Sequence, residues 1–163
     1  MTDHLFTAPR HIVIERELAA YLPEVQQQFR GDPAQWLPGR LTMHGASTFH
    51  TRTRFLGARV LLQFRIGSSW TRGNAITRNV QIEFLEPPLG MVWLLPTVEG
   101  ELTLLGDPRP QLRFEGRSAM PGLLDVRRWS GARLAREVTA GISDRLSTHA
   151  PPIPPSKASR RER

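Results

Sequence analysis

The chain contains no cysteine, so disulfides and thiolate chemistry are excluded. No apolar run is long enough to span a bilayer. The opening residues, MTDHLFTAPR, lack the apolar core of a signal peptide. A soluble cytoplasmic protein is the expectation. Lysine is nearly absent, with Lys157 standing against 21 arginines. That skew fits a GC-rich coding sequence as readily as phosphate recognition. Carboxylates are outnumbered, 15 against 22 cations, which leaves a net charge of +7. Such a charge permits attraction to nucleic acid or an anionic membrane. Part of it sits at Arg160, Arg161 and Arg163, and no interleaved aromatics form a base-stacking platform. Nucleic-acid contact is therefore expected to be non-specific, weak and steeply salt-dependent.

Site signatures are also missing. The five histidines make no HxH or HExxH pattern, and metal binding is not expected. There is no GxGxxG or P-loop spacing, and no cofactor is expected. No serine sits in a nucleophile elbow. Gly67-Ser68-Ser69 reads as turn or bulge chemistry.

What is present is a long helical stretch and a long β-rich one. A length of 163 residues fits one domain, monomeric or homodimeric. Pro121 to about Thr148 is helical, with Leu124, Leu134, Ala135, Val138 and Ile142 on one side and Gly131 among them. Arg128, Arg133, Arg136, Glu137 and Asp144 occupy the other side. Residues 11–16 read as a first strand. Leu18, Tyr21, Leu22, Val25 and Phe29 switch to helical spacing, with Pro23 dividing a turn from a helix. Asp32 can cap a short helical turn over Pro33–Leu37.

From Arg40 the period becomes two. Six alternating strands are expected at Leu41–Phe49, Ala58–Ile66, Ile76–Phe84, Met91–Leu95, Val98–Leu104 and Leu112–Gly116. Val60, Leu62, Phe64 and Ile66 must share a face with Val80, Ile82 and Phe84. All are even, so opposed pairs sum to an even number, which a two-residue turn at Gly73-Asn74 forbids. Either a three-residue turn, Arg72-Gly73-Asn74, or a bulge near Ser68-Ser69 is required. Residues 1–9 read as a lead-in, 10–148 as the domain, and 149–163 as a disordered Pro/Arg-rich tail.

Leu95-Pro96-Thr97-Val98-Glu99-Gly100-Glu101-Leu102-Thr103-Leu104, then Gln111 to Gly116, then a Pro-Gly step into the last helix, carry a resemblance. The chain resembles the helix-grip proteins, the START-like or SRPBCC superfamily of polyketide cyclases, lipid-transfer and Bet v 1-like proteins. The resemblance implies an α+β fold. A curved, antiparallel, seven-stranded sheet would wrap a long C-terminal helix, with two short helices between strands 1 and 2. It also implies a hydrophobic cavity between sheet and helix. A lipocalin-like barrel is the alternative, disfavoured by the early helices and the small strand count.

On this reading the cavity is lined by Met43, Phe49, Phe64, Ile82, Trp93, Leu102, Phe114, Leu134 and Val138, with Gly131 making space. The expected hollow is roughly 300–1,000 Å³. Trp70 shares even parity with Arg78 and joins the wall. Arg78 lies on the apolar parity of its strand, either as an anchor for an anionic or carbonyl group or pointing past the sheet rim. Glu83, Glu99, Glu101 and Glu115 are odd and should face water, as should His44 and His50. Thr51-Arg52-Thr53-Arg54 reads as a solvated face. The partner expected first is a hydrophobic or aromatic small molecule or lipid. A cyclase or aromatase acting on a polyketide-like chain in the same cavity is the alternative, and an Arg-rich nucleic-acid or protein interaction module is the third reading.

Overall fold

A computed structural model describes residues 10–55, 57–86, 97–106, 109–119 and 126–149; within these, side chains are described except those of residues 10, 86, 119, 126–130 and 149. Seven antiparallel strands form one sheet: β1 (Arg10–Glu17), β2 (Leu41–Met43), β3 (Thr48–Phe55), β4 (Ala58–Arg72), β5 (Ala75–Glu86), β6 (Thr97–Leu105) and β7 (Gln111–Ala119). Their spatial order is β1-β7-β6-β5-β4-β3-β2. From β2 to β7 the chain is a meander. β1 lies at the far edge against β7, so the segment between β1 and β2 must cross from one sheet edge to the other. That segment holds α1 (Leu22–Arg30) and a single 3-10 turn (Pro33–Gln35). The last helix, α2 (Val126–His149), packs most closely on β1, β7 and β6 and on α1. This is the expected helix-grip arrangement.

Alternation along the strands produces the two faces. Ile76, Val80, Ile82, Val98, Leu102, Leu104, Leu112 and Phe114 are buried on the inner face. Leu134, Ala135, Val138, Ile142 and Leu146 of α2 are buried with them. Burying each such Val, Leu, Ile or Phe side chain stabilises the fold by about 1.5–3 kcal/mol. The outer face carries ion pairs, Arg117 with Glu99 at 2.6 Å across β7 and β6 and Arg113 with Glu115 at 3.0 Å along β7. These are exposed, so they contribute little stability. The expected outward orientation of Glu99, Glu101 and Glu115 is what the register gives. His50 also faces outward, with its Nε2 2.9 Å from Gln63 Oε1 and its ring stacked on His44.

The parity conflict in the β4–β5 hairpin is settled by a bulge. Ile66 pairs with Val80, an even sum, but Ser69 pairs with Arg78, an odd one. The extra residue at Gly67-Ser68 lets Gly73-Asn74 close the hairpin as a two-residue turn, with Gly73 at φ +60°. Two boundaries differ from expectation. Leu41–Phe49 is not one strand: it breaks after Met43, and His44 N–H donates to Thr48 O at 3.0 Å across the turn. The second strand then runs on to Phe55. Asp32 Oδ1 accepts from Ala34 N–H at 2.9 Å, the predicted cap. The expected strand Met91–Leu95, the helix opening at 121–125, the lead-in and the tail fall outside the described residues.

Candidate functional site

The inner wall is built from one stripe of α2 and the inward positions of β3 to β7. Phe49, Phe64, Ile82, Leu102, Phe114 and Leu134 are all at most 1% exposed, and Val138 is 6% exposed. Gly131 is buried on the same helix. Where α2 faces β3 and β4, the described residues leave a recess of about 70 Å³. Phe55, Leu62 and Phe64 line it from the sheet, Leu134 and Val138 from α2, and Pro38 and Gly39 from the segment before β2. Arg54 and Glu137 stand at its polar margin. The recess is far smaller than the hollow expected from the pattern, with room for roughly two waters.

Two expected wall residues lie elsewhere. Met43 is 57% exposed because β2 is a three-residue edge strand and Met43 ends it. Trp70 is 40% exposed on the outer face, paired with Thr77, because the bulge at Gly67-Ser68 reverses parity beyond it. There it neighbours the outer pair Thr77–Thr103, whose hydroxyls are 3.1 Å apart. Trp93 lies outside the described residues.

Arg78 points inward, and its donors meet backbone carbonyls rather than open space or the rim. Nη1 donates to Phe29 O and Gly31 O, both at 2.9 Å, and Nε donates to Gly67 O at 3.0 Å. The guanidinium also sits 5.6 Å from the Trp36 ring, a cation–π contact. Desolvation pulls its pKa below the ordinary arginine value, and the nearby Asp32 carboxylate partly offsets this. Arg78 is thus a cap on the C-terminal carbonyls of α1 and a clamp on the β4 bulge. Among the described residues it is the only buried charged side chain.

Sequence reasoning missed two inner polar groups. Ser118 continues the even parity of Leu112, Phe114 and Gly116, and its buried Oγ has no hydrogen-bond partner. Trp36 is fully buried, and its Nε1–H is likewise unpartnered. Ser118 was open to the parity rule; Trp36, after the 3-10 turn, carried no periodic signal. A depression of about 990 Å³ is an open groove that crosses β1 and β4 to β7, walled by His11, Arg65, Arg78, Glu99, Glu115 and Arg117 among others. Its lining mixes Pro33, Ile66 and Val80 with charged side chains, of which Glu99 pairs with Arg117 and Glu115 with His11. No group of His, Asp or Glu among the described residues is arranged to hold a metal ion. No helix among them is long and apolar enough to cross a membrane.

No family model and no curated protein matches the chain. Solved structures do. Ara h 8.0201 is similar with a TM-score of 0.56 at 9% identity, over 86% of this chain and 99% of that one. A START superfamily protein from Mycobacterium smegmatis is similar with a TM-score of 0.52 at 12% identity, over 85% and 94% of the two chains. An uncharacterised protein from Rhizobium leguminosarum gives 0.51 at 17% identity, over 86% and 93%. At these identities the likeness is one of fold, and with the seven-stranded sheet closed on α2 it shows that the chain has the START/Bet v 1-like, SRPBCC helix-grip fold.

Proposed function

We propose that the chain binds a hydrophobic or aromatic small molecule or lipid between the sheet and α2, through the seam where α2 faces β3 and β4. The observation that carries this reading is the recess itself. Leu134 and Val138 face Phe55, Leu62 and Phe64 across it, so every large side chain at its centre is apolar. The packing of α2 is closest on β1, β7 and β6, towards the opposite edge of the sheet from this seam. The recess is too small for an ordinary ligand, so the seam widens as the ligand enters. Binding replaces the water that widening would admit with apolar contact, which is the favourable term. Glu83, Glu99, Glu101 and Glu115 face away from this space, Glu137 at its margin pairs with Arg133, and the one buried cation among the described residues is engaged by carbonyls. Binding without chemistry is therefore the reading favoured over a cyclase.

The test is a titration with the neutral dye Nile red, together with native mass spectrometry of the purified chain for a retained lipid or aromatic compound. The parent should bind the dye stoichiometrically. Val138→Phe fills the recess from α2 and should weaken the dye by about tenfold or more. Overpacking costs roughly 1–3 kcal/mol, so the variant should still melt cooperatively. Equal dye affinity in parent and Val138→Phe would remove this seam from the site.

A further inference from the structure

β1 ends the sheet, and the backbone of its outer edge is a template for a further strand. Leu18 N–H donates to Pro110 O at 2.8 Å, in the same register that pairs Arg10 with Ser118 and Glu17 with Gln111. Backbone bonds in an antiparallel ladder alternate along the strand, so the even residues of β1 turn their N–H and C=O groups to β7. His11, Val13 and Glu15 therefore turn theirs away from the sheet. Among the described residues no backbone bond from another element meets them. Sheets usually blunt such an edge with proline, lysine, a bulge or a very short strand. The other edge is blunted in that way, because β2 is only Leu41–Met43. β1 is not. It reads RHIVIERE, without proline or lysine, and its register to β7 is unbroken from Arg10 to Glu17. Val13 is 44% exposed in the middle of its outer face, and Ile14 is only partly buried on the inner one.

We infer that the open edge of β1 pairs with β1 of a second copy, antiparallel about a two-fold axis at Val13. The inference is independent of the apolar-ligand reading, whose seam at β3 and β4 lies towards the opposite edge of the sheet. The two strands must meet through their outward-turned backbone groups. That opposes odd residues to odd ones and keeps the inner faces of both sheets on one side. With Val13 opposite itself, His11 meets Glu15 of the second copy at each end of the axis. Both side chains are exposed, His11 beside Glu115 and Glu15 beside Arg113, so the new contacts extend ion pairs already on the outer face. On the inner face Ile12 meets Ile14 of the second copy and completes its cover. Moving the axis to Ile12 would set His11 against Val13. Moving it to Ile14 would set Val13 against Glu15 and Ile12 against Arg16. Complementarity of opposed pairs therefore selects Val13. Arg10 and Arg16 are opposed only at the ends of the ladder. A two-fold contact of this kind uses one patch twice, so a strand that complements itself is sufficient.

Sedimentation equilibrium over a range of protein concentrations reads the association. The parent should show a reversible monomer–dimer equilibrium, since one strand pairing makes a small interface. Val13→Pro removes an N–H that faces away from β7, and proline is tolerated on such an edge. It should weaken the dimer by at least about tenfold, because both copies lose a hydrogen bond at the axis. Its melting temperature, measured where the parent is monomeric, and its Nile red affinity should match the parent. Introduced cysteines fix the register, because the chain has none of its own. Opposed residues of a hydrogen-bonded pair lie about 5.5 Å apart at Cα, within disulfide reach. Val13→Cys should therefore crosslink to a dimer under mild oxidation. His11→Cys and Glu15→Cys should not crosslink alone, because each then lies about 13 Å from its equivalent. A mixture of those two variants should crosslink to each other. A parent that stays monomeric at millimolar concentration overturns the inference. So does a dimer that Val13→Pro leaves intact, or one in which Val13→Cys crosslinks no faster than Glu15→Cys. Should Val13→Pro fail to fold, the crosslinking pattern decides alone.

Discussion

Arg78→Met should destabilise the protein by about 3–5 kcal/mol, since it leaves three backbone carbonyls without their donor and each unsatisfied buried group costs about 1–3 kcal/mol. At roughly 2–4 °C per kcal/mol for a domain of this size, the melting temperature should fall by about 10 °C. Methionine keeps the apolar stem and removes all the donors. Phe29 O and Gly31 O then lose their partner at the C-terminal end of α1, where carbonyls have none within the helix. The helix dipole adds to the loss, since a cation at this end is favourable. Gly67 O loses its partner at the bulge, and the Trp36 ring loses its cation. Arg78→Lys keeps the charge but cannot reproduce a three-carbonyl fork, so it should recover only part of the loss. Thermal melts of parent and both variants decide the matter. Had Arg78 been a free ligand anchor, Met would leave stability unchanged or raise it. Unaltered melting of Arg78→Met would return it to that role. Nile red affinity, corrected for the unfolded fraction, should not change.

The same arginine shows where sequence reading stops. Its inward orientation followed from parity alone, since Ile76, Arg78, Val80 and Ile82 alternate without interruption. Its partners did not, because Phe29 lies 49 residues away and is brought near only when α1 crosses the sheet. The fold was legible through the same arithmetic. An even-sum register and a two-residue turn are incompatible, and the bulge at Gly67-Ser68 is the resolution. The consequence for Trp70 needed a further step, because parity assigned before a bulge is reversed after it. Met43 failed for a different reason. Alternation gives a side chain's direction but not whether its strand has a neighbour beyond the edge. The arginines of Thr51-Arg52-Thr53-Arg54 were visible as a solvated run. That Arg59 returns opposite Arg54 depends on the hairpin closing tightly between Phe55 and Ala58.

Gly116→Ala should cost about 3 kcal/mol, the upper part of the range for overpacking. Gly100 and Gly116 are directly opposed on β6 and β7. A Cβ on Gly116 would collide with Glu99 O and lie 2.8 Å from the Gly100 Cα; a Cβ on Gly100 would lie 2.6 Å from the Gly116 Cα. The Phe114 ring, with Cζ 2.7 Å from a Cβ on Gly116, could shift, but the other obstacles are backbone atoms that no rotamer change relieves. The two strands must separate, which strains hydrogen bonds near the middle of the sheet. Parity placed both glycines on the inner face, and close strand approach is why neither carries a side chain. Gly73 supplies the contrast. It sits in the β4–β5 turn at φ +60°, and a Cβ there would meet nothing within 4 Å, so its requirement is conformational rather than spatial. Asparagine tolerates that left-handed region, so Gly73→Asn should be nearly neutral, whereas Gly116→Asn should prevent stable folding. The double variant Gly100→Ala, Gly116→Ala gives a sharper test. Once one methyl has pushed β6 from β7, the second meets a gap already opened, so the combined cost should fall short of the sum of the single costs. Denaturant melts of the two single variants and the double variant measure that shortfall. Strict additivity would mean that the two glycines answer to separate constraints, and not to one close approach of β6 and β7.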